Sequence, residues 1–186
     1  MNLTLVTPPT AFPVSLSEVK RFCRIEDTDN DTIVTAFLKS AVELAENVTG
    51  RRFMAQQWRL SLDKFSDEII LPYPQLLSVD SVQYYDSARV LQSLDSGVYE
   101  VDAVDGIGRV TLALDQSWPQ SYPHLNTVLI DFTCGYSDAA SVPNTLRDAI
   151  STIVWFLFDG RGAQLDSKML NFMLGPHIMR GFYEPS

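Results

Sequence analysis

The hydrophobic period changes twice along this chain. Up to Met54 apolar residues recur every three or four positions; from there Trp58, Leu60 and Leu62 alternate with polar residues; from Val142 the helical spacing returns. No single element satisfies both periods, so strands must be set between helices. This predicts an α+β fold: a helical core of two long helices with short N- and C-terminal helices, and an inserted antiparallel β sandwich or small barrel. The expected boundaries are an extended arm over residues 1–14, a helical core over 15–53 and 142–175, a β-rich insert over 54–141, and a tail over 176–186.

The strongest helix signal lies in residues 28–53. Ile33, Phe37, Ala41, Leu44, Ala45 and Val48 share one face of the pattern. Asp29, Asn30 or Asp31 is placed to cap its start, and Gly50 stands where a left-handed C′ residue is expected. Asp27, Asp29 and Asp31 imitate the start of an EF-hand loop, but Thr32 and Leu38 occupy the turn-glycine and glutamate positions, so capping is the better reading. Upstream, Ser15 and Glu18 form a capping box for a short helix with Val19, Phe22 and Cys23 on one side. Pro8, Pro9 and Pro13 make the first residues extended. Pro143 opens the second long helix, whose wide stripe comprises Ile150, Ile153, Val154, Leu157 and Phe158 with Trp155 and Phe156 beside it. Met169, Leu170, Phe172 and Met173 mark a last short amphipathic helix.

Inside the insert, strands are expected at 58–62, 68–71, 79–85, 90–94, 98–101, 109–114 and 127–134. Short Asp-Ser, Ser-Gly and Gly-Ile-Gly turns divide them, and no helical crossover intervenes, so the pairing is antiparallel.

Chemistry is sparse. His124 and His177 are far apart and have no metal-ligand spacing, and Cys23 and Cys134 form no CxxC pair, so no metal, cofactor or catalytic group is expected. Both cysteines read as buried thiols. Gly106-Ile107-Gly108 is too short for a dinucleotide loop and reads as a hairpin turn. With 14 Lys and Arg against 23 Asp and Glu, a formal charge of −9, the chain is a poor candidate for gripping phosphate or anionic lipid. No apolar run approaches the ~20 residues of a membrane span. Trp58, Tyr84, Tyr85 and Trp118 are the residues a glycan or small-ligand platform would use, although the alternation of Trp58 with Leu60 and Leu62 favours a core.

The order of these features resembles the head–tail connector (adaptor) proteins of tailed bacteriophages, in the version with a β-rich insert. The segments that carry it are the helix over 16–25, Ala45-Glu46-Asn47-Val48-Thr49-Gly50-Arg51, Gln57-Trp58, Leu71-Pro72-Tyr73-Pro74, Tyr99-Glu100-Val101-Asp102, Ser117-Trp118-Pro119, Phe132-Thr133-Cys134-Gly135-Tyr136 and Val142-Pro143. Cys134 departs from the family's small residue, and the C-terminal tail has no counterpart in the pattern.

The resemblance implies a structural protein without enzymatic activity, sited at the head–tail interface of a virion after synthesis in the bacterial host cytoplasm. It implies a homo-oligomeric ring of about twelve subunits. That ring docks on the portal protein, receives a stopper or tail-completion protein, and lets DNA pass without specific binding. Within that frame the apolar tail is the expected portal-docking segment, through Phe172, Met173, Ile178, Met179, Phe182 and Tyr183. Glu43, Glu46 and Asp148 are the expected acidic residues of a channel wall. The rival readings are a tail-side completion protein, terminator or stopper, and a β-barrel ligand-binding module.

Overall fold

The structure, a computed structural model, describes residues 1–159 and 166–179. Helices and antiparallel sheets segregate as the two periods require, in an α+β fold. Contacts divide the chain into a β-rich unit, Met1–Pro9 with Ala55–Gly135, and a helical unit, Thr10–Met54 with Tyr136–Ser186.

The β-rich unit holds β1 (Asn2–Thr7), β2 (Gln56–Leu62), β3 (Glu68–Ile70), β4 (Leu76–Tyr85), β5 (Leu91–Ser93), β6 (Tyr99–Asp102), β7 (Arg109–Leu112) and β8 (Val128–Cys134). One sheet has the order β1-β2-β8-β4-β5 and the other β3-β7-β6, all neighbours antiparallel. Residues 2–7, expected as an extended arm, are extended and hydrogen-bonded as the edge strand beside β2. Strand β8 is the middle of the larger sheet. Its Val128, Ile130, Phe132 and Cys134 are buried at every second position. Leu60 and Val82 from the same sheet, and Ile69 and Val110 from the other, join them in one core.

The opposite face of the larger sheet is polar and cross-linked. Arg59 donates Nε and Nη2 to the two oxygens of its register partner Asp131, at 2.6 and 2.7 Å. Asp80 accepts from Gln57, Ser78 and Thr133 at 2.7–2.9 Å. Such cross-strand pairs reward one register and penalise a slip. The Gly-Ile-Gly turn is fixed by space: a Cβ on Gly108 would come within 2.7 Å of Leu76 Cδ2 and 3.2 Å of Leu71 Cβ.

The helical unit contains α1 (Leu16–Cys23), α2 (Asp31–Thr49), α3 (Asn144–Asp159) and α4 (Ser167–Leu174). The capping box is formed: Ser15 Oγ accepts from Glu18 N–H, and Glu18 accepts from Ser15 N–H at 2.8 Å. Glu18 also pairs with Arg147 of α3, and Lys20 with Asp31 of α2, so α1 is tied to both long helices by charge as well as by the buried Val19. Replacing Ser15 by alanine is expected to cost about 0.5–2 kcal/mol, measured by urea denaturation with helix circular dichroism as the signal. A cost of zero would show that Glu18 alone holds the turn.

The buried face of α2 differs from the expected one. Val34, Leu38, Ala41, Ala45 and Thr49 are buried, while Ile33 is exposed and Phe37, Leu44 and Val48 are only half-buried. Apolar pairs stand at 33–34, 37–38 and 44–45, so two stripes about 100° apart both satisfy the spacing. The small Ala41 and Ala45 sit in the contact with the other helices, whose core residues are Leu146, Ile150, Ile153 and Val154 of α3 and Leu174 of α4. Gly50 ends α2 in the left-handed region, φ 69°. Asn30 occupies the N-cap position without a side-chain cap bond. Phe22 is exposed rather than packed beside Val19.

Candidate functional site

The groups that could carry chemistry are dispersed or enclosed. Cys134 is fully buried on β8. Cys23 is half-buried, and burial pushes its thiol up, away from the reactive thiolate. His124 stacks on Tyr122 at 6.0 Å in an open loop. Among the described residues no three His, Cys, Asp or Glu side chains converge as a metal site would need.

The aromatic residues of the supposed ligand platform serve the fold. Trp58 lies 4.9 Å from Tyr73 and donates its indole N–H to Gln56 at 3.2 Å. Trp118 stacks on Phe65, centroids 4.6 Å apart and planes 6° from parallel, and donates to Ser66 O at 3.0 Å. Tyr84 meets the edge of the same Phe65 ring. Trp58, Tyr84 and Trp118 thus pack against the core of the β-rich unit, and Phe65 occupies one face of Trp118.

The three carboxylates expected on a channel wall separate into two kinds. Glu43 on α2 and Asp148 on α3 are exposed. Glu46 is turned inward, its side chain 13% exposed. It accepts from Phe53 N–H at 2.8 Å and lies 3.5 Å from Arg52 Nη1. It closes the chain beyond the helix end instead of facing solvent, and the AE-x-x-TGR pattern is the signal that could have located it.

Burial raises the Glu46 carboxyl pKa, opposed by the Phe53 hydrogen bond and by Arg52. A carboxyl raised in the fold destabilises the fold once ionised. Its stability contribution is full below the unfolded pKa and falls as the pH rises through the folded one. Glu46→Gln, which keeps an acceptor for Phe53, is therefore expected to melt at or above wild type near pH 8, with the difference shrinking toward pH 4. Glu46→Ala leaves that N–H without its acceptor and is expected to cost about 1–3 kcal/mol. A melting series from pH 4 to 8 on both variants checks the sign.

The apolar residues expected to dock also divide. Phe172, on the outer face of α4, is 84% exposed. Met173 packs against the helical core beside the buried Leu174. Ile178 and Met179 are half-buried. Phe182 and Tyr183 lie outside the described residues. The start of the tail is latched to the end of α2. Met179 N–H donates to Thr49 O at 3.0 Å, Arg51 Nε to His177 O at 2.8 Å, and the His177 ring meets Thr145 Oγ1 at 2.7 Å. Partial burial and Arg51 lower the His177 pKa, which favours the neutral ring. Sequence reasoning missed this latch because the tail's bonds to Thr49 and Arg51 join residues more than one hundred positions apart along the chain. Outside α4, Trp155 and Leu157 add exposed apolar surface on α3.

The β-rich unit is poor in free cations. Its only Lys and Arg residues are Arg59, Lys64, Arg89 and Arg109. Arg59 pairs with Asp131, Arg109 with Glu68, and Arg89 lies 4.6 Å over the Tyr122 ring.

Residues 13–101 match the family model described as phage gp6-like head–tail connector protein. Three solved structures share the fold along the whole chain. A chain in the neck of an empty gene transfer agent particle, computed with C6 symmetry, gives a TM-score of 0.82 at 19% identity, covering 100% of this chain and 99% of that one. A chain in the virion of the native particle gives 0.80 at 19% identity with the same coverage. A chain in the neck of the native particle, computed with C12 symmetry, gives 0.76 at 20% identity, again with 100% and 99% covered. No curated protein sequence matches the chain.

Proposed function

We propose that this chain, similar to phage head–tail connectors over residues 13–101, is a structural adaptor of a tailed phage or phage-like particle. It forms a ring of about twelve copies, docks on the portal and extends the DNA channel toward the tail. The observation that carries this reading is the coincidence of the connector-family match with a fold likeness to neck chains that spans both chains end to end. A stopper or terminator built on another fold would not give both.

The surface supports the reading in two ways. Phe172, Trp155 and Leu157 leave large apolar side chains in solvent on the helical unit, and such groups are the anchors of interface cores. The charge is −9 per chain, and the cations of the β-rich unit are largely engaged by neighbouring side chains. A wall of this kind holds DNA weakly, whereas six to ten phosphate contacts would make passage strongly salt-dependent. Glu43 and Asp148 remain as exposed acidic groups for such a wall; Glu46 is assigned to the fold. The protein performs no catalysis in this role.

The test is to mix the purified chain with the portal ring of the same particle and image the product by electron microscopy. The expected result is a new symmetric layer on the portal's outer end. An intact portal with its docking surface bare would reassign the chain to the tail side.

A further inference from the structure

The larger sheet ends in two edges that match each other. Edge strand β1, Asn2–Thr7, contains no charge and no proline, and Leu5 and Val6 on it are 42% and 44% exposed. Its pairing with β2 is regular from Asn2 to Leu5, with one irregularity before Thr7. At the other end, β5 covers β4 only at Gln83–Tyr85. Among the described residues no strand pairs with the outer side of residues 77–81, and Leu77 there is 47% exposed. The one charge in that stretch, Asp80, is held by Gln57, Ser78 and Thr133 on the sheet face and does not guard the edge. Proteins that must stay single usually defend such edges with lysine, proline or a covering loop.

Direction decides what each edge fits. β1 runs antiparallel to β2, β2 to β8, and β8 to β4, so β1 and β4 run in opposite senses. A second copy placed beside the first by a small rotation, about 30° in a ring of about twelve, presents its β1 antiparallel to the first copy's β4. The alternation of the sheet then continues from copy to copy. Pairing β1 onto β5 would instead be parallel.

We propose that the outer edge of β1 in one copy pairs with residues 77–81 of the next, joining the β-rich units of a ring into one continuous antiparallel sheet. The interface is heterologous, with two different edges of one chain, which is the arrangement that closes rings rather than stopping at dimers. Main-chain hydrogen bonds supply the attraction, as in strand addition to an exposed edge, and Leu5 and Leu77 supply apolar contact at its flanks. The inference rests on the ring reading above, since a chain that never assembles would leave both edges to solvent.

Cysteine pairs test it in assembled particles. In a Cys23→Ser background, which removes the half-buried native thiol and leaves only the fully buried Cys134, Thr4→Cys or Leu5→Cys is combined in turn with Leu77→Cys, Ser78→Cys, Val79→Cys and Ser81→Cys, which spans both faces and the register shifts of β4. Particles carrying each variant are oxidised or treated with a short bismaleimide and run under denaturing conditions. The expected result is a ladder of dimers, trimers and higher species from at least one double variant, and none from either single variant. Dimers from Thr4→Cys or Leu5→Cys alone would mean that β1 pairs with itself, and would overturn the proposal. Assembled particles that contain the chain but give no ladder in any pair would overturn it while leaving the neck assignment standing. Particles that lack the chain altogether would overturn the neck assignment, and this inference with it.

Discussion

Phe132→Ala is expected to destabilise the β-rich unit by about 3–5 kcal/mol, the range for removing a fully buried aromatic ring. Phe132 has no exposed surface and lies on the central strand, with Trp58 of β2 and Val79 of β4 as its register partners. Both sheets contribute to the core around it, through Ile69 and Val110 on one side and Leu60 and Ile130 on the other. A cavity there cannot be filled by one strand's movement, because β8 is pinned on both edges and by the Arg59–Asp131 pair. A loss of that size is a large fraction of the 5–15 kcal/mol that holds a typical domain. The helical unit has its own core, built around Leu38, Leu146 and Ile150. In a Trp155→Phe background, which leaves tryptophans only in the β-rich unit, urea denaturation followed by Trp58 and Trp118 fluorescence should therefore shift to lower midpoint, while helix ellipticity at 222 nm shifts less and separates from it. Coincident transitions in the variant would show that the two units unfold as one and would refute the independence of their cores.

The elements that were legible in the sequence are those where local pattern and tertiary demand agree. In β8 every second residue is large and apolar, and every second residue is buried; a strand buried on one face leaves no other phase. Ser15 and Glu18 sit three apart and need no distant partner to form their box. The resemblance reached a proposed role that residue chemistry alone does not reach, because the surfaces used in assembly carry no catalytic motif to read in a sequence.

The misreadings have a common physical origin. On α2 two apolar stripes compete, and the choice between Phe37 and Leu38 as the buried residue depends on what lies opposite, which the helix's own sequence does not state. Glu46 reads as one more surface carboxylate until Phe53 folds back over it with an N–H to donate. Residues 2–7 are extended as expected, but their strand partner, β2, lies fifty residues on and is not stated by their own sequence. Each missing fact is a tertiary contact that the local pattern does not state, whether its partner is seven residues away, as Phe53 is from Glu46, or fifty and more, as β2 is from β1.

Phe172→Asp separates folding from docking and should have the largest effect on assembly. The ring is 84% exposed, and α4 is held by Leu170, Met173 and Leu174 on its other side and by the Asp166 cap, which accepts from Met169 N–H at 2.7 Å. A surface change away from a buried contact normally alters stability by no more than about 0.5 kcal/mol, so the melting temperature of the free chain should hardly move. In the docked state the same side chain is proposed to fill an apolar pocket, where an aromatic anchor contributes about 2 kcal/mol or more, a loss of roughly 30-fold in affinity on truncation. Aspartate adds the cost of burying a charge, so binding to the portal ring should fall further still. Met173→Asp is the contrasting variant: its side chain packs on the helical core, so it should lower the melting temperature first and lose binding as a consequence. The measurement is portal-ring occupancy by electron microscopy beside thermal melting of each free chain. Full occupancy with Phe172→Asp at wild-type concentrations would remove α4 from the docking surface, and would direct attention to other exposed apolar side chains of the helical unit, such as Trp155 and Leu157 of α3 with Phe22 of α1 and Ile33 of α2.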